Sequence, residues 1–362
     1  AQCVAHVLNA ALPNDIREEI EREYLLVAEE QRARGRSNRR VLLIGGAGYV
    51  GSVIAGQLLE RGYSVRCMDR LLYRNDVCVL PLVHHAQYDF VYGDHCGPTA
   101  VNAALDGVTD VVILSGLVGD PITQKYPDVS EAINHKGMLS LIDCLNGKGL
   151  NRVVFVSTCS NYGLIVGDVM ADESYELKPL SLYAKAKVAV EKALLDSRGK
   201  VDYSPTVLRF STAFGLSPRM RVDLTVNEFT RAMYLKQDLV VYDAHTWRPY
   251  CHTRDFGSAV RRVLELGRSR IAFEVFNVGR EENNCTKQSI VDKIKKHLPD
   301  APVSYKEHGT DPRNYRVDFR KIREKLLFVQ EHTVDDGVAE ILGALNNHLF
   351  DRVNDNLPFY GN

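Results

Sequence analysis

The sequence predicts an α/β fold in which a doubly wound parallel sheet is joined to a smaller C-terminal lobe. Between residues 41 and 215, short apolar runs alternate with stretches of helical periodicity. The runs are apolar at consecutive positions, which is typical of strands that helices cover on both faces. At 362 residues the chain is long enough to bury a large core of this kind.

Six strands are predicted in βα order, at residues 41–44, 65–68, 90–92, 111–114, 153–156 and 206–208. Beyond Gly215 the alternation weakens and prolines and aromatics become frequent, so residues 216–362 are assigned mainly to the lobe. Segments near residues 250–280 are left free to return to the sheet. Upstream, residues 14–30 carry apolar side chains at helical spacing. Residues 1–40 are therefore predicted to be a helical extension that ends in an arginine-rich, solvated linker.

Composition restricts the class of ligand. The net charge of −1 gives no reason to expect attraction to nucleic acid or to an anionic membrane. The eight cysteines form no CxxC pair and the histidines form no HxH or HExxH motif, which argues against a disulfide framework and against a metal site. No apolar run approaches the about 20 residues that span a bilayer, and no signal-peptide pattern opens the chain. We expect a cytoplasmic protein that binds a small polar ligand.

A glycine-rich loop follows the first predicted strand and precedes a helical pattern. It reads Gly45-Gly46-Ala47-Gly48-Tyr49-Val50-Gly51. Glycines at 45, 48 and 51 allow a tight turn, a close approach of the backbone to a pyrophosphate, and close packing of helix on strand. The helix N-terminus then attracts the phosphates. The sequence thus predicts a Rossmann-type dinucleotide site with Gly45, Gly48, Tyr49, Val50 and Gly51 as cofactor contacts.

The second strand ends at Asp69, near the distance after the loop at which a carboxylate binds the ribose 2′-hydroxyl of NAD. A carboxylate there repels the 2′-phosphate of NADP, so NAD is the predicted cofactor. The positive charge of Arg70, directly after Asp69, could weaken this preference for NAD over NADP. Asp94, at the end of the third strand, is either an adenine contact or an ordinary strand-end cap. Leu114, at the end of the fourth, is assigned to the same site.

A tyrosine and a lysine stand four residues apart in Tyr183-Ala184-Lys185-Ala186-Lys187. On a helix, Tyr183 and Lys187 share a face, whereas Lys185 does not. A tyrosine with a pKa near 10 is a poor base at neutral pH, and an adjacent ammonium stabilises its phenolate. Tyr183 is therefore the predicted catalytic base and Lys187 its partner, both also in contact with the cofactor.

The fifth strand runs into Ser157-Thr158-Cys159-Ser160-Asn161. Its hydroxyl groups emerge at the carboxyl edge of the sheet, where ligands bind in folds of this class. Thr158 is predicted to hydrogen-bond the substrate oxygen on which Tyr183 acts. An alternative for the pair Tyr183 and Lys187 alone is an ordinary surface helix, and their position after this strand argues against it.

With these motifs the chain resembles the extended short-chain dehydrogenase/reductases, the NAD-dependent epimerase/dehydratase family that acts on nucleotide sugars. The resemblance covers about residues 41–340. The family's glycines, hydroxyl residue and YxxxK motif fall on Gly45, Gly48, Gly51, Thr158, Tyr183 and Lys187. The resemblance also implies that Asn134 lies near the cofactor and that Arg248, in a segment like the family's RxYxHxxD, contacts the nucleotide diphosphate.

The resemblance implies a larger set of substrate contacts, which comprises Ser160, Asn161, Thr212, Arg219, Arg221, Asn227, Arg248 and Asp311. In the family, the asparagine at the Asn227 position supports the substrate phosphates. Arg219 and Arg221 are candidates for clamping a phosphate or a sugar acid, because guanidinium offers paired donors to such oxygens. Salt bridging between the lobes is the alternative role for both arginines.

The chain departs from the family pattern at three places. Cys159 and Ser160 stand where the dehydratase branch has an Asp-Glu pair, so elimination of water is disfavoured. Cys159 is expected to be a small buried residue and not an acid or base. His308 replaces the arginine of the family's RPGD segment, in which Asp311 is kept. Arg313 or Arg316 could supply the lost charge, and Thr212 stands in place of a common asparagine.

These observations predict an NAD-dependent enzyme that oxidises a hydroxyl, expected at C4, of a nucleotide-linked sugar. Return of the hydride to the other face gives an epimerase, and release of the oxidised sugar gives a dehydrogenase. Oxidation or reduction of a non-nucleotide alcohol and a non-catalytic nucleotide-sensing scaffold remain as alternatives. The resemblance also implies a homodimer.

Overall fold

The computed structural model describes residues 39–309, 311, 313–351, 353, 360 and 361. The predicted N-terminal helix and nearly all of the linker lie outside these residues. In chain order the strands are β1 (Arg40–Ile44), β2 (Ser64–Asp69), β3 (Tyr88–Tyr92), β4 (Asp110–Ile113), β5 (Arg152–Thr158), β6 (Met170–Ala171), β7 (Pro205–Phe210), β8 (Thr212–Phe214), β9 (Leu239–Tyr242), β10 (Trp247–His252), β11 (Glu274–Val278), β12 (Asn284–Thr286), β13 (Val303–Lys306) and β14 (Arg316–Val317).

The helices lie mainly between these strands and in the lobe. In chain order they are α1 (Tyr49–Glu60), α2 (Pro98–Ala104), α3 (Asp120–Lys125), α4 (Pro127–Ser130), α5 (Gly137–Leu145), α6 (Leu182–Leu195), α7 (Thr225–Tyr234), α8 (Thr253–Glu265), α9 (Arg268–Ile271), α10 (Lys287–Lys295), α11 (Arg320–Leu326) and α12 (Val334–Asn346). A π-helical turn at Glu131–Lys136 joins α4 to α5. Within the described residues, no helix combines the length and the apolar character needed to cross a membrane.

The main sheet has the order β11-β7-β5-β4-β1-β2-β3, and all of its strands run parallel. The predicted doubly wound parallel sheet is confirmed, and each of the six predicted strands lies in it. Strand β11 extends the sheet at one edge beyond these six. Its position next to β7 shows that part of the chain after residue 215 returns to the sheet.

Helices cover both faces of the sheet, which explains the continuous apolar runs. On one face Ile54 and Leu58 of α1 pack with Phe256 and Val260 of α8 in a buried cluster. On the other face, α2, α5 and α6 contribute a second cluster that includes Leu141. Strands buried on both sides need no polar alternation, and this is the physical basis of the sequence pattern.

A smaller lobe lies beyond the carboxyl edge of the main sheet. Its sheet has the order β12-β10-β8, and two further pairs, β13 with β9 and β14 with β6, lie beside it. Helices α7, α10 and α12 bury a third cluster against this sheet, with Phe214 and Tyr250 at its centre. Because β8 follows β7 after a single residue, the lobe is placed directly over the carboxyl ends of the main strands.

Arg39 fixes the start of β1. Its guanidinium binds both carboxylate oxygens of the fully buried Asp110, at 3.0 and 2.5 Å, and donates to the Leu264 carbonyl at 2.6 Å. Burial of a carboxylate is tolerated when it is paired and hydrogen-bonded in this way. Arg39, which was predicted to belong to a solvated linker, is therefore a structural residue.

Candidate functional site

A cavity of about 590 Å³ opens at the carboxyl edge of the main sheet, between the sheet and the lobe. In the strand order, β1 and β4 are neighbours from which the chain winds in opposite directions, and this is where open parallel sheets bind their ligands. Most of the predicted site residues line it, namely Gly45, Gly48, Tyr49, Val50, Gly51, Asp69, Arg70, Asp94, Leu114, Thr158, Ser160, Tyr183, Lys187, Thr212, Arg219, Arg221, Arg248 and Asp311.

The glycine loop between β1 and α1 forms one wall of this cavity. Gly45 has φ of +82°, and a Cβ atom there would lie 2.7 Å from the Ser115 Cα. A Cβ atom on Gly51 would lie 2.6 Å from the Gly45 carbonyl oxygen. Gly48 is the N-cap of α1 and forms no side-chain cap, so the backbone amides of the first turn are left for a ligand. A phosphate group fits this helix end.

Asp69 is held rigidly at the end of β2. One carboxylate oxygen accepts from the Ala47 amide at 3.1 Å, and the other accepts from the Leu71 amide at 2.8 Å. Burial raises the pKa of Asp69, and these two hydrogen bonds oppose the rise. The carboxylate is thus fixed between the glycine loop and the cavity, as the binding of a ribose hydroxyl requires.

Arg70, which was expected to affect the choice of cofactor, forms an ion pair within the protein. Its guanidinium lies 2.8 Å from a carboxylate oxygen of Asp94, and both residues line the cavity. Asp94 also accepts from the Cys96 amide at 2.9 Å, as an ordinary strand-end cap does. The cap and the adenine contact proposed for Asp94 are therefore compatible, and the charge of Arg70 is compensated before any ligand binds.

Helix α6 places the tyrosine and the lysine in the same cavity. Ser181 caps this helix, and the Lys187 ammonium lies 5.8 Å from the centre of the Tyr183 ring. The ammonium also donates to the Val156 carbonyl of β5 at 2.8 Å. Lys185 is exposed, as expected from its spacing. The arrangement positions the Lys187 ammonium close to the Tyr183 ring.

Several charges around Tyr183 compete to set its proton affinity. Burial raises the pKa of Tyr183, and the carboxylate of Asp120 raises it further. The guanidinium groups of Arg221 and Arg313 lower it, and Tyr315 adds a smaller increase. The cavity wall thus carries charges of both signs that act on the phenol.

Lys187 is almost fully buried, and burial lowers its pKa to about 8. Its ammonium also lies 4.7 Å from the centre of the Phe155 ring, a contact that favours the charged form. The carboxylate of Glu191, one helical turn further along α6, opposes the loss of its proton. Lys187 therefore remains mainly charged at neutral pH.

The residues after β5 divide between the cavity and the core. The Thr158 hydroxyl accepts from the Ser160 amide at 3.1 Å, so its own proton remains available to a ligand. The Ser160 hydroxyl accepts from the Arg313 guanidinium at 3.1 Å. Cys159 points away into the core, where its thiol donates to the Arg209 carbonyl and burial raises its pKa to about 12. The prediction that Cys159 is a small buried residue is confirmed.

Three predicted asparagine contacts do not line the cavity. The Asn134 side chain holds the loop after β4 through the amide and carbonyl of Leu117, at 2.8 and 2.9 Å. The Asn161 side chain donates to Glu191 at 2.8 Å within the core. Asn227 donates to the Tyr49 hydroxyl at 3.0 Å. All three side chains thus hydrogen-bond to neighbouring segments of the protein, and the ligand contacts predicted for them stay predictions.

Arg248 and Asp311 meet on the lobe side. Their ion pair measures 3.0 Å, and Arg248 also donates to the carbonyl groups of Trp247 and Arg313. Arg313 binds both carboxylate oxygens of Asp311 at 2.8 Å. These charges lower the pKa of Asp311. Of the two arginines considered as a replacement for the missing family arginine, Arg313 lines the cavity.

Arg316 does not line the cavity and pairs with Asp168. Of the other predicted arginines, Arg221 binds Asp223 through two hydrogen bonds of 2.9 and 2.5 Å. Arg219 lies 4.3 Å from the centre of the Tyr73 ring and donates to the Gly361 carbonyl at 2.7 Å. Arg219 and Arg221 are thus close in sequence but have different surroundings.

The sequence analysis missed several cavity residues, among them Asp120 and Tyr73. Asp120 follows β4 at the first position of α3 and lies 3.1 Å from Arg313. Tyr73 lies in the loop after β2. The rule that ligands bind at the carboxyl ends of parallel strands could have indicated both, since each follows a predicted strand by a few residues.

Potential metal ligands come within 4.8 Å of one another in two groups of described residues, Asp94 with His95 and Cys96, and His252 with Asp255 and His332. In the second group Asp255 accepts from the amides of Glu331 and His332, and His252 pairs with Glu340 at 2.8 Å. These hydrogen bonds account for the geometry without an ion. The absence of a resident metal stays a prediction.

The charge of Asp120 gives a pH prediction. If Tyr183 acts as a phenolate, activity is lost as the pH falls below its pKa, and the Asp120 carboxylate raises that pKa. In Asp120→Asn the acid limb of the kcat/KM profile should therefore move to lower pH. Asp128→Asn, on the exposed face of α4, is the matched control and should leave the profile in place. An acid limb that stays fixed or moves upwards in Asp120→Asn contradicts this assignment.

Residues 41–279 match the model of the NAD dependent epimerase/dehydratase family. The chain is 27% identical over 321 residues to the dTDP-glucose 4,6-dehydratase of Streptomyces niveus, a match that covers 83% of this chain and 91% of that protein. It is 26% identical over 332 residues to the UDP-glucose 4-epimerase of Corynebacterium glutamicum, covering 86% of this chain and 97% of that protein.

A similar solved structure is that of DesIV from Streptomyces venezuelae, a dTDP-glucose 4,6-dehydratase with NAD and TYD bound. The TM-score is 0.77 at 23% sequence identity, and the match covers 86% of this chain and 98% of that chain. This similarity extends across both the main sheet and the lobe, and it shows that the two proteins share a fold.

Proposed function

Because the chain belongs to the NAD-dependent epimerase/dehydratase family, we propose that it oxidises the C4 hydroxyl of a nucleotide-linked sugar and returns the hydride to the opposite face, as an epimerase. The observation that carries this proposal is the position of Tyr183 and Lys187, which line the same cavity as the glycine loop. A base and a dinucleotide-binding loop in one cavity support hydride transfer coupled to proton removal.

The cavity fits NAD, the cofactor of this family. A Cβ atom on Gly45 or Gly51 would collide with neighbouring backbone atoms, so glycine at both positions keeps the loop tight. The amino end of α1 can hold the diphosphate. Asp69 would bind the ribose hydroxyls. When bound, NAD supplies the hydride acceptor for the alcohol and the hydride donor for the ketone. The chain's own residues must then orient the sugar and move its proton.

Tyr183 is the proposed base that removes the hydroxyl proton. The Lys187 ammonium stabilises the phenolate, and its hydrogen bond to Val156 fixes its position. Thr158 has a free hydroxyl proton with which to orient the substrate oxygen. In the second half of the reaction the same phenol returns a proton to the oxygen of the reduced ketone.

Elimination of water is not part of the proposal. Dehydration needs an acid and a base next to the oxidised carbon, and the residues after Thr158 do not offer them. The Cys159 thiol is buried with a raised pKa, and the Ser160 hydroxyl is bound by Arg313. Similarity to a dehydratase therefore supports the shared oxidation step and not the elimination.

The test is incubation of the purified protein with a panel of UDP-, GDP-, CDP- and dTDP-sugars, followed by nicotinamide absorbance and product mass. A product of unchanged mass without net NADH supports the epimerase. A product that has lost two hydrogens, with NADH formed, contradicts the epimerase and shows that the enzyme is a dehydrogenase. Loss of water would overturn the rejection of dehydration, and turnover only of non-nucleotide alcohols would overturn the substrate class.

Arg248 gives a prediction for substrate binding. Its guanidinium is buried on the lobe side and is proposed to bind the nucleotide diphosphate. Loss of a charge-assisted hydrogen bond costs about 1.5–3 kcal/mol, so Arg248→Gln should raise KM by about tenfold or more. Arg316→Gln, outside the cavity, is the control. An unchanged KM with the best nucleotide sugar contradicts the role of Arg248.

Homodimer formation is also part of the proposal. Tyr126 and Val129, at the start of and within α4, and Leu182, at the start of α6, leave large parts of their apolar side chains exposed. Burial of such side chains between subunits would remove apolar surface from water. Sedimentation of the purified protein tests this: a monomer at micromolar concentration contradicts it.

A further inference from the structure

The surroundings of Arg219 differ from those expected of a substrate clamp. Arg219 is 2% exposed, lines the cavity and belongs to the segment that joins β8 to α7. Among the residues that the structure describes, it forms no ion pair with a carboxylate, whereas Arg221 binds both oxygens of Asp223. A buried guanidinium without a paired anion is costly unless a ligand supplies one.

The polar atoms around Arg219 are also unsatisfied. The Arg219 Nε, the Tyr73 hydroxyl and the Asn75 Oδ1 are buried and have no hydrogen-bond partner. All three residues line the cavity. Buried polar atoms in folded proteins are nearly always paired, so three such atoms on one wall indicate that a polar ligand belongs there.

These residues lie at the cofactor end of the cavity. Tyr73, which the Arg219 guanidinium contacts at 4.3 Å, follows β2 by a few residues. Asn75 donates to the carbonyl of Ala47 in the glycine loop at 2.7 Å. The charge of Arg219 also opposes the rise that burial causes in the pKa of Asp69. Arg219 is thus close enough to Asp69, the carboxylate suited to a ribose, to influence its charge, and it contacts Tyr73, which follows the same strand.

We propose that Arg219 belongs to the cofactor site, where its guanidinium binds the diphosphate of the dinucleotide from the lobe side, with Tyr73 as a second contact. This role differs from the substrate clamp that was predicted for Arg219. It rests on the proposed function for the identity of the dinucleotide. Because Arg219 and Arg221 lie two residues apart, the cofactor would also fix the segment that presents Arg221 to the substrate.

The test is equilibrium binding of NAD and of ADP-ribose to the full chain after bound nucleotide has been removed, with no sugar present. In Arg219→Gln both dissociation constants should rise by about tenfold or more, as expected for loss of a charge-assisted hydrogen bond. Binding of adenosine, which has no phosphate, should be unchanged. Arg316→Gln, outside the cavity, is the control and should bind NAD as the parent protein does.

Two further variants keep the test independent of folding. Arg219→Lys retains the charge and should show an intermediate loss, and Tyr73→Phe removes only one hydroxyl and should weaken NAD binding by a few fold. The proposal is overturned if Arg219→Gln is folded and binds ADP-ribose within twofold of the parent, or if Arg219→Lys and Tyr73→Phe both bind NAD normally. Because the assay needs no turnover, failure of the proposed function would leave its result unaffected.

Discussion

Tyr183→Phe should turn over the nucleotide sugar about 10²- to 10⁴-fold more slowly than the parent protein, the range by which a positioned acid or base accelerates a reaction. The substitution removes only the hydroxyl, so the half-buried ring, its contact with Lys187 and the fold of α6 should be preserved. Steady-state kinetics measure the loss, and equilibrium binding should show that NAD is still held.

Lys185→Met is the matched control for this experiment. Lys185 lies on the same helix but is exposed, so its loss should leave kcat unchanged. Lys187→Met should instead lower kcat, because no other cation in the described part of α6 contacts the Tyr183 ring. If Tyr183→Phe keeps more than about a tenth of the parent kcat, another group is the base and the proposed proton transfer is wrong.

Glu191→Ala should lower the free energy of unfolding by about 3–5 kcal/mol, the usual cost of breaking a buried ion pair from one side. Glu191 and Arg209 are 2% and 4% exposed, and their closest approach is 2.8 Å. Glu191 also accepts from Asn161 at 2.8 Å and binds the hydroxyl of Ser157. Its removal leaves a buried guanidinium and two polar side chains without their acceptor.

Denaturant unfolding of purified variants measures this cost. Glu282→Gln, in a surface pair with Arg280, should change the unfolding free energy by under about 1 kcal/mol. A double variant with methionine at both Glu191 and Arg209 should be more stable than Glu191→Ala, because no unpaired charge is left in the core. A Glu191→Ala protein as stable as the parent would contradict the structural role of this pair.

Six strands of the seven-stranded main sheet were predictable because a local sequence pattern marks each of them, whereas β11 was not assigned as a strand. A strand covered on both faces requires consecutive apolar residues, and the turn after β1 requires glycine where φ is positive or where backbone atoms touch, as at Gly45 and Gly51. The pairing of Tyr183 with Lys187 could also be predicted, since a spacing of four residues places both side chains on one face of a helix.

The asparagines were not predictable in the same way. Family resemblance gives the position of Asn161 in the chain, but the direction of its side chain depends on Glu191, which lies 30 positions further along the chain. Asn227 likewise depends on Tyr49, which is 178 positions away. Asp120 acquires its significance only when α3 and Arg313 meet across the cavity. Contacts of this kind arise from tertiary packing, and no local pattern encodes them.

The anchoring of Arg39 has a practical consequence for handling the protein. Because the guanidinium is clamped to Asp110 and to the Leu264 carbonyl, the chain enters β1 at the amino edge of the sheet, and the ligand cavity opens at the other edge. The length of a strand, about 16 Å for five residues, separates the two edges. Surface immobilisation at the start of β1 should therefore leave the entrance of the cavity free, which suits biosensor and flow-reactor formats.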